Sequence, residues 1–126
     1  MHLLCYDRQG ERMEKILEQT LLYDFYGELL TEHQRQVYED VVLNDFSLSE
    51  VAENRGISRQ GVHDMIRRCN RSLEEYESKL HLVEKFLAIR ENVEQIRRLT
   101  RNPEEQPIPE VMARIQQIST DILEEL

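Results

Sequence analysis

The segment that decides the fold reads Phe46-Ser47-Leu48-Ser49-Glu50-Val51-Ala52-Glu53-Asn54-Arg55-Gly56-Ile57-Ser58-Arg59-Gln60-Gly61-Val62. It holds two helix starts and one stop. Ser47 with Glu50 forms a capping box, and Phe46 is placed to staple onto Val51. Gly56 tolerates the left-handed backbone of a tight helix exit. Ser58 then caps a second helix, with Ile57 and Val62 as its staple pair. A short helix from Leu48 to about Asn54, a tight turn and a longer helix make up the local grammar of a helix-turn-helix.

Downstream, the inner stripe Val62, Ile66, Cys69, Leu73, Tyr76, Leu80, Val83 and Leu87 steps by fours and threes. A second stripe, Leu82, Phe86, Ile89, Val93 and Ile96, keeps that rhythm but is offset by one residue. No Pro or Gly interrupts residues 62–100. Unbroken, that helix would run to roughly 60 Å, against a radius of gyration near 14 Å for a globule of this size. Two readings stand: a break or bend near Lys79–Leu82, or one long helix with a broad apolar face. Residues 101–109 hold all three prolines and read as a loop. Beyond it Val111, Ile115, Ile118, Ile122 and Leu126 restore helical spacing, so this helix is expected to fold back on 82–99 as a hairpin.

Upstream, Ile16, Leu17, Leu21, Leu22, Phe25, Tyr26, Leu29 and Leu30 predict an amphipathic helix over Met13–Leu30 with a wide buried face. Thr31 and Gln34 form a further capping box, followed by an inner face of Val37, Tyr38, Val41 and Val42 and a stop at Asn44-Asp45. The expected layout is all-α. It has a flexible extension over 1–12, a helix-turn-helix domain over 13–80 and a C-terminal helical hairpin over 81–126.

The 126 residues include 16 Lys and Arg against 25 Asp and Glu, a net charge of −9. With 40% hydrophobic residues and only four Gly and three Pro, the chain is neither disordered nor a many-stranded β fold. No apolar run reaches a membrane span, so no membrane insertion is expected. The first residues lack the pattern of a secretion signal, which points to a cytoplasmic setting. Charge is uneven: residues 1–46 carry −6, 47–80 balance, and 81–126 carry −3. Within 55–71 there are five arginines and one acid, Asp64. At about 100° per residue, Gln60, His63, Asp64, Arg67 and Arg71 point away from the Val62–Ile66–Cys69 face, and Arg59 lies near its edge. The candidate DNA-binding residues are therefore Ser58, Arg59, Gln60, His63, Asp64, Arg67, Arg68 and Arg71, with Ser47 and Ser49 near the backbone. The competing reading is an ordinary solvated face in which Asp64 pairs with Arg67 or Arg68.

Other chemistry is missing from the sequence. His2, His33, His63 and His81 have no metal-ligand spacing, so no metal is expected. Cys69 reads as a small buried hydrophobe rather than a nucleophile, and with Cys5 it makes no disulfide scaffold. No Gly-rich phosphate loop exists. The expectation is no enzyme, no catalytic residue and no cofactor.

Leu30-Thr31-Glu32-His33-Gln34, Phe46 to Ala52 and Gly56 to Val62 resemble the promoter-reading helix-turn-helix domain of bacterial sigma factors, their region 4. Asp24-Phe25-Tyr26, Ser58-Arg59-Gln60, Ile66-Arg67-Arg68 and Leu73-Glu74-Glu75-Tyr76-Glu77-Ser78-Lys79-Leu80 resemble the YlxM family more closely, over about residues 13–95. The resemblance implies a bacterial all-helical protein with a sigma-region-4-like fold and a regulatory rather than enzymatic role. It also implies an association with the signal recognition particle, beside whose GTPase the family is typically encoded. The chain departs from the pattern in three ways. Residues 1–12 precede the usual start, Gly61 and His63 replace the usual Ala and Tyr, and 101–126 lies outside the core.

The expected function is DNA-binding regulation through a helix-turn-helix at about 47–71. The alternative is an adaptor that binds the signal recognition particle GTPase or RNA without reading DNA. The stripes at 80–99 and 111–126 offer more apolar surface than a thin hairpin hides, so a homodimer is expected as well.

Overall fold

The structure, a computed structural model, describes residues 8–102 and 104–126. Among them are six α-helices and no strand: α1 Arg8–Tyr26, α2 Glu32–Tyr38, α3 Leu48–Arg55, α4 Arg59–Leu80, α5 Leu82–Arg101 and α6 Ile108–Glu125. A 3-10 turn, Gly27–Leu29, follows α1, and a π turn, Glu39–Leu43, follows α2. The chain divides into two compact units, one ending at His81 and the other Leu82–Leu126.

The first unit is built on caps. Thr31 and Gln34 close the reciprocal capping box at the start of α2. Ser47 Oγ accepts the Glu50 N–H at 3.1 Å, and Ser58 Oγ accepts the Gly61 N–H at 2.9 Å. Gly56 takes φ +69 at the end of α3, where Ile57 N–H reaches Ala52 O at 3.1 Å. Behind these caps Val37, Val51, Ala52 and Val62 form a buried cluster, with Ile57, Met65 and Ile66 packed against it. Val62, Cys69 and Leu73 carry the inner stripe of α4 and are fully buried. Each such aliphatic side chain contributes roughly 1.5–3 kcal/mol by leaving water.

Three expectations need correction. α1 is already helical at Arg8, because Arg, Gln, Glu and Met are strong helix formers; residues 1–7 of the expected extension lie outside the described residues. The helix expected to reach Leu30 ends at Tyr26 and passes into the 3-10 turn, and the buried face of the stretch is narrower than its spacing suggests: Leu22, Tyr26 and Leu30 are buried, whereas Ile16, Leu17 and Leu29 are exposed. Phe46 stays exposed rather than closing over Val51, after a turn in which Asp45 takes φ +58.

Of the two readings of residues 62–100, the structure has the break. α4 ends at Leu80, and His81 caps it in the left-handed region at φ +56, its N–H bonded to Glu77 O. The second unit is an α5–α6 hairpin joined by the short proline-bearing loop. Arg114 donates to Gln95 Oε1 at 3.4 Å, and Arg98 pairs with Glu91 at 3.0 Å. Among its described residues only Val83 and Ile118 are buried hydrophobics.

Candidate nucleic-acid interface

Two short elements aim α4. α3 is held to α2 by Arg55, whose guanidinium donates to Gln36 Oε1 at 2.7 Å and to Asp40 Oδ2 at 3.0 Å. Sequence spacing counts Arg55 with the cationic group; the structure uses it as a half-buried tie instead. The pairing joins positions far apart along the chain, and no local signal announces it.

Tyrosines brace the back of α4. Tyr38 is buried and donates its hydroxyl to Asn70 Oδ1 at 2.7 Å. Its ring stacks on Tyr23 at 5.3 Å between centroids, and the Tyr23 hydroxyl donates to Glu39. Tyr26 donates to Glu77 Oε1 at 2.5 Å. Burial pushes the Tyr38 hydroxyl well above its ordinary range, which keeps it a proton donor. The Cys69 thiol, also on this inner side, is pushed up to about 11 by burial, a shift that Arg68 partly opposes. It remains a protonated, inaccessible thiol at neutral pH.

The outward side of α4 is the opposite environment. Ser58, Arg59, Gln60, His63, Arg67, Arg68 and Arg71 are exposed, as are Ser47 and Ser49 at the start of α3; Asp64 is half-buried. Leu48, Arg59, Gln60 and His63 line one shallow depression where the starts of α3 and α4 meet. Gln60, His63, Asp64, Arg67 and Arg71 share one side of the helix, whereas Arg68 turns about 100° beyond Arg67. Arg71 stands about 18 Å along the axis from Arg59, so the two cannot serve the same base step.

Asp64 behaves differently from either pairing considered from sequence. It accepts from Gln60 Nε2 at 3.0 Å, and His63 Nδ1 lies 3.8 Å from the same oxygen. With Asp64 so engaged, no ion pair of 4.0 Å or less ties Arg59, Arg67, Arg68 or Arg71 among the described residues. Four guanidinium groups on one short, exposed helical stretch can form bidentate bonds to phosphate oxygens or to guanine edges.

Known proteins show the same arrangement of sequence. A model of the YlxM / p13-like helix-turn-helix proteins, UPF0122, matches residues 13–112. The match runs past residue 95, through α5 and the loop, and ends in the first turns of α6. A UPF0122 protein of Thermoanaerobacter sp. is 46% identical over 108 residues, covering 80% of this chain and 92% of its own. A second, of Caldanaerobacter subterraneus subsp. tengcongensis, is 50% identical over 84 residues, 67% and 72% of the two chains. A third, of Staphylococcus haemolyticus, is 53% identical over 72 residues, 57% and 66%. The family is a helix-turn-helix family and not an enzyme family, and no helix among the described residues is long and apolar enough to cross a membrane. With the capped helix-turn-helix and the whole of α5 inside the matched span, the chain belongs to the UPF0122 family of YlxM / p13-like helix-turn-helix proteins.

Proposed function

We propose that this protein is a cytoplasmic DNA-binding regulator whose α4 enters the major groove of double-stranded DNA. One observation carries the reading: an exposed, cationic first half of α4, capped by Ser58 and braced by the buried Val62–Cys69–Leu73 stripe. Arg59 and Gln60, at the start of the helix, reach base edges. His63 and Asp64 flank them, and the Asp64 carboxylate favours a base that presents an amino group, such as cytosine. Arg67, Arg68 and Arg71 neutralise phosphates, with Ser47 and Ser49 donating to the backbone. The overall −9 charge repels a duplex away from this patch, so affinity depends on two copies acting together as a homodimer.

The test is a fluorescence titration with a promoter-sized duplex at two salt concentrations. The expected result is salt-steep binding that weakens in Arg59→Ala, with the slope reduced by about 1 in Arg67→Ala. Binding indifferent to both substitutions overturns the reading.

A second reading is favoured by the acidic balance outside α4. The chain would act as an adaptor in the signal recognition pathway, binding the particle's GTPase or RNA. Retrieval of that GTPase from nuclease-treated lysate, with no affinity for duplex, would select it.

A further inference from the structure

The hairpin has one side that the described residues leave bare. The charged residues of α6 are Glu110, Arg114, Asp121, Glu124 and Glu125, and helical geometry gathers all of them on one half of its circumference. The other half holds Val111, Ile115 and Ile122 against α5. Beyond them comes a stripe of Ile108, Met112, Gln116, Ser119, Leu123 and Leu126, all exposed. Its four large apolar residues are 63–82% exposed. On α5, Val93 is exposed, between the half-buried Ile89 and Ile96. Because the helices run antiparallel, right-handed geometry turns the α5 and α6 stripes to the same side of the hairpin.

The pattern along that side reads the same in both directions. In α6 it runs apolar, polar, polar, apolar: Met112, Gln116, Ser119, Leu123, with Ile108 and Leu126 outside. Its midpoint falls between residues 117 and 118. Arg114 against Gln95 sets that midpoint opposite residues 91 and 92 of α5. Ile89 and Ile96 lie evenly about a point one residue farther along α5, about 1.5 Å away. One twofold axis across the hairpin therefore maps the α6 stripe onto itself and brings Ile89 and Ile96 within one residue of each other's images, an arrangement that suits an isologous interface. The dimensions also suit it. A face about 27 Å long and about 20 Å wide gives two copies roughly 1,000 Å² to bury, at the lower bound for a specific dimer.

We infer that this face joins a second copy of the chain, α6 lying antiparallel on α6 and α5 on α5, as an intermolecular four-helix bundle. The inference gives a surface and a symmetry to the homodimer in the functional reading. It does not need DNA to be the ligand, and its test contains none.

The test is light scattering on the purified full chain at micromolar concentration. Wild type is expected at about 30 kDa, twice the 15.1 kDa chain, and Met112→Glu/Leu123→Glu at 15.1 kDa with unchanged circular dichroism. Ser119→Arg, which sets like charges close across the axis, gives the same halving should the double variant not fold. Gln117→Glu, on the charged half, leaves the dimer intact. A monomeric wild type overturns the proposal, including one that binds neutral lipid vesicles through this face. So does a dimer that survives both face variants. Failure of duplex binding in a protein that dimerises this way would sink the DNA reading alone.

Discussion

The two units of this chain solve the same problem in opposite ways. The unit ending at His81 buries ten of the twelve buried hydrophobic side chains among the described residues, and the hairpin from Leu82 onward buries two. In the first, apolar residues on four helices converge and polar groups finish the ends. In the second, two helices share one thin seam, and Met112, Leu123 and Leu126 stand in water. A core closed by its own helices can hold a rigid, outward-facing α4. A seam left half open is an instruction to find another surface. Position on the chain thus separates a unit with a closed core from a hairpin with an open face.

The sharpest way to break this contrast is to damage the first core. Leu73→Ala should cost about 2–5 kcal/mol in urea unfolding, since Leu73 is fully buried and its cavity cannot collapse freely. A cost below 1 kcal/mol would mean that the first unit is no better packed than the hairpin. Next in size is Tyr38→Phe, which leaves Asn70 Oδ1 without its donor and should cost about 1–3 kcal/mol.

Alkali gives a similar handle. The folded Cys69 thiol titrates at about 11 against an ordinary 9.0, so the folded state holds a proton that the unfolded state releases. Its stabilisation is complete below pH 9 and lost as pH rises toward 11. Between pH 8 and pH 10 the wild type should lose about 1 kcal/mol more than Cys69→Ala, measured by urea melts at both values. Equal losses would show that Cys69 is not held as a thiol.

Similar in size is Gly56→Ala, expected to cost about 1–2 kcal/mol for a side chain forced to φ +69 with open space around it. The smallest effect belongs to the hairpin: Leu123→Ala should leave the monomer's unfolding free energy within about 0.5 kcal/mol of wild type while weakening self-association. A large loss in dilute protein would put Leu123 in a core after all.

What could be read in advance followed range along the chain. Thr31–Gln34, Ser58 and Gly56 act within four residues of themselves, and each does what its type and spacing demand. The exposed ridge from Arg59 to Arg71 follows from the same periodicity that buries Val62, Cys69 and Leu73. Arg55 illustrates the limit, because its partners Gln36 and Asp40 lie across a loop and only folding brings them within reach. Tyr38 looks like one more inner apolar residue until Asn70 is seen to take its hydroxyl proton. The stop at His81 was visible only as a one-residue slip between stripes, because no glycine marks the left-handed cap there.

Cys69 has one practical consequence. It sits directly behind the helix that presents the arginines, sealed from solvent. In a Cys5→Ser background, the rate at which an alkylating reagent captures this sulfur becomes a clock for how often α4 lifts from its bed. Any ligand that grips the outer face should slow that clock, whatever polymer the ligand proves to be.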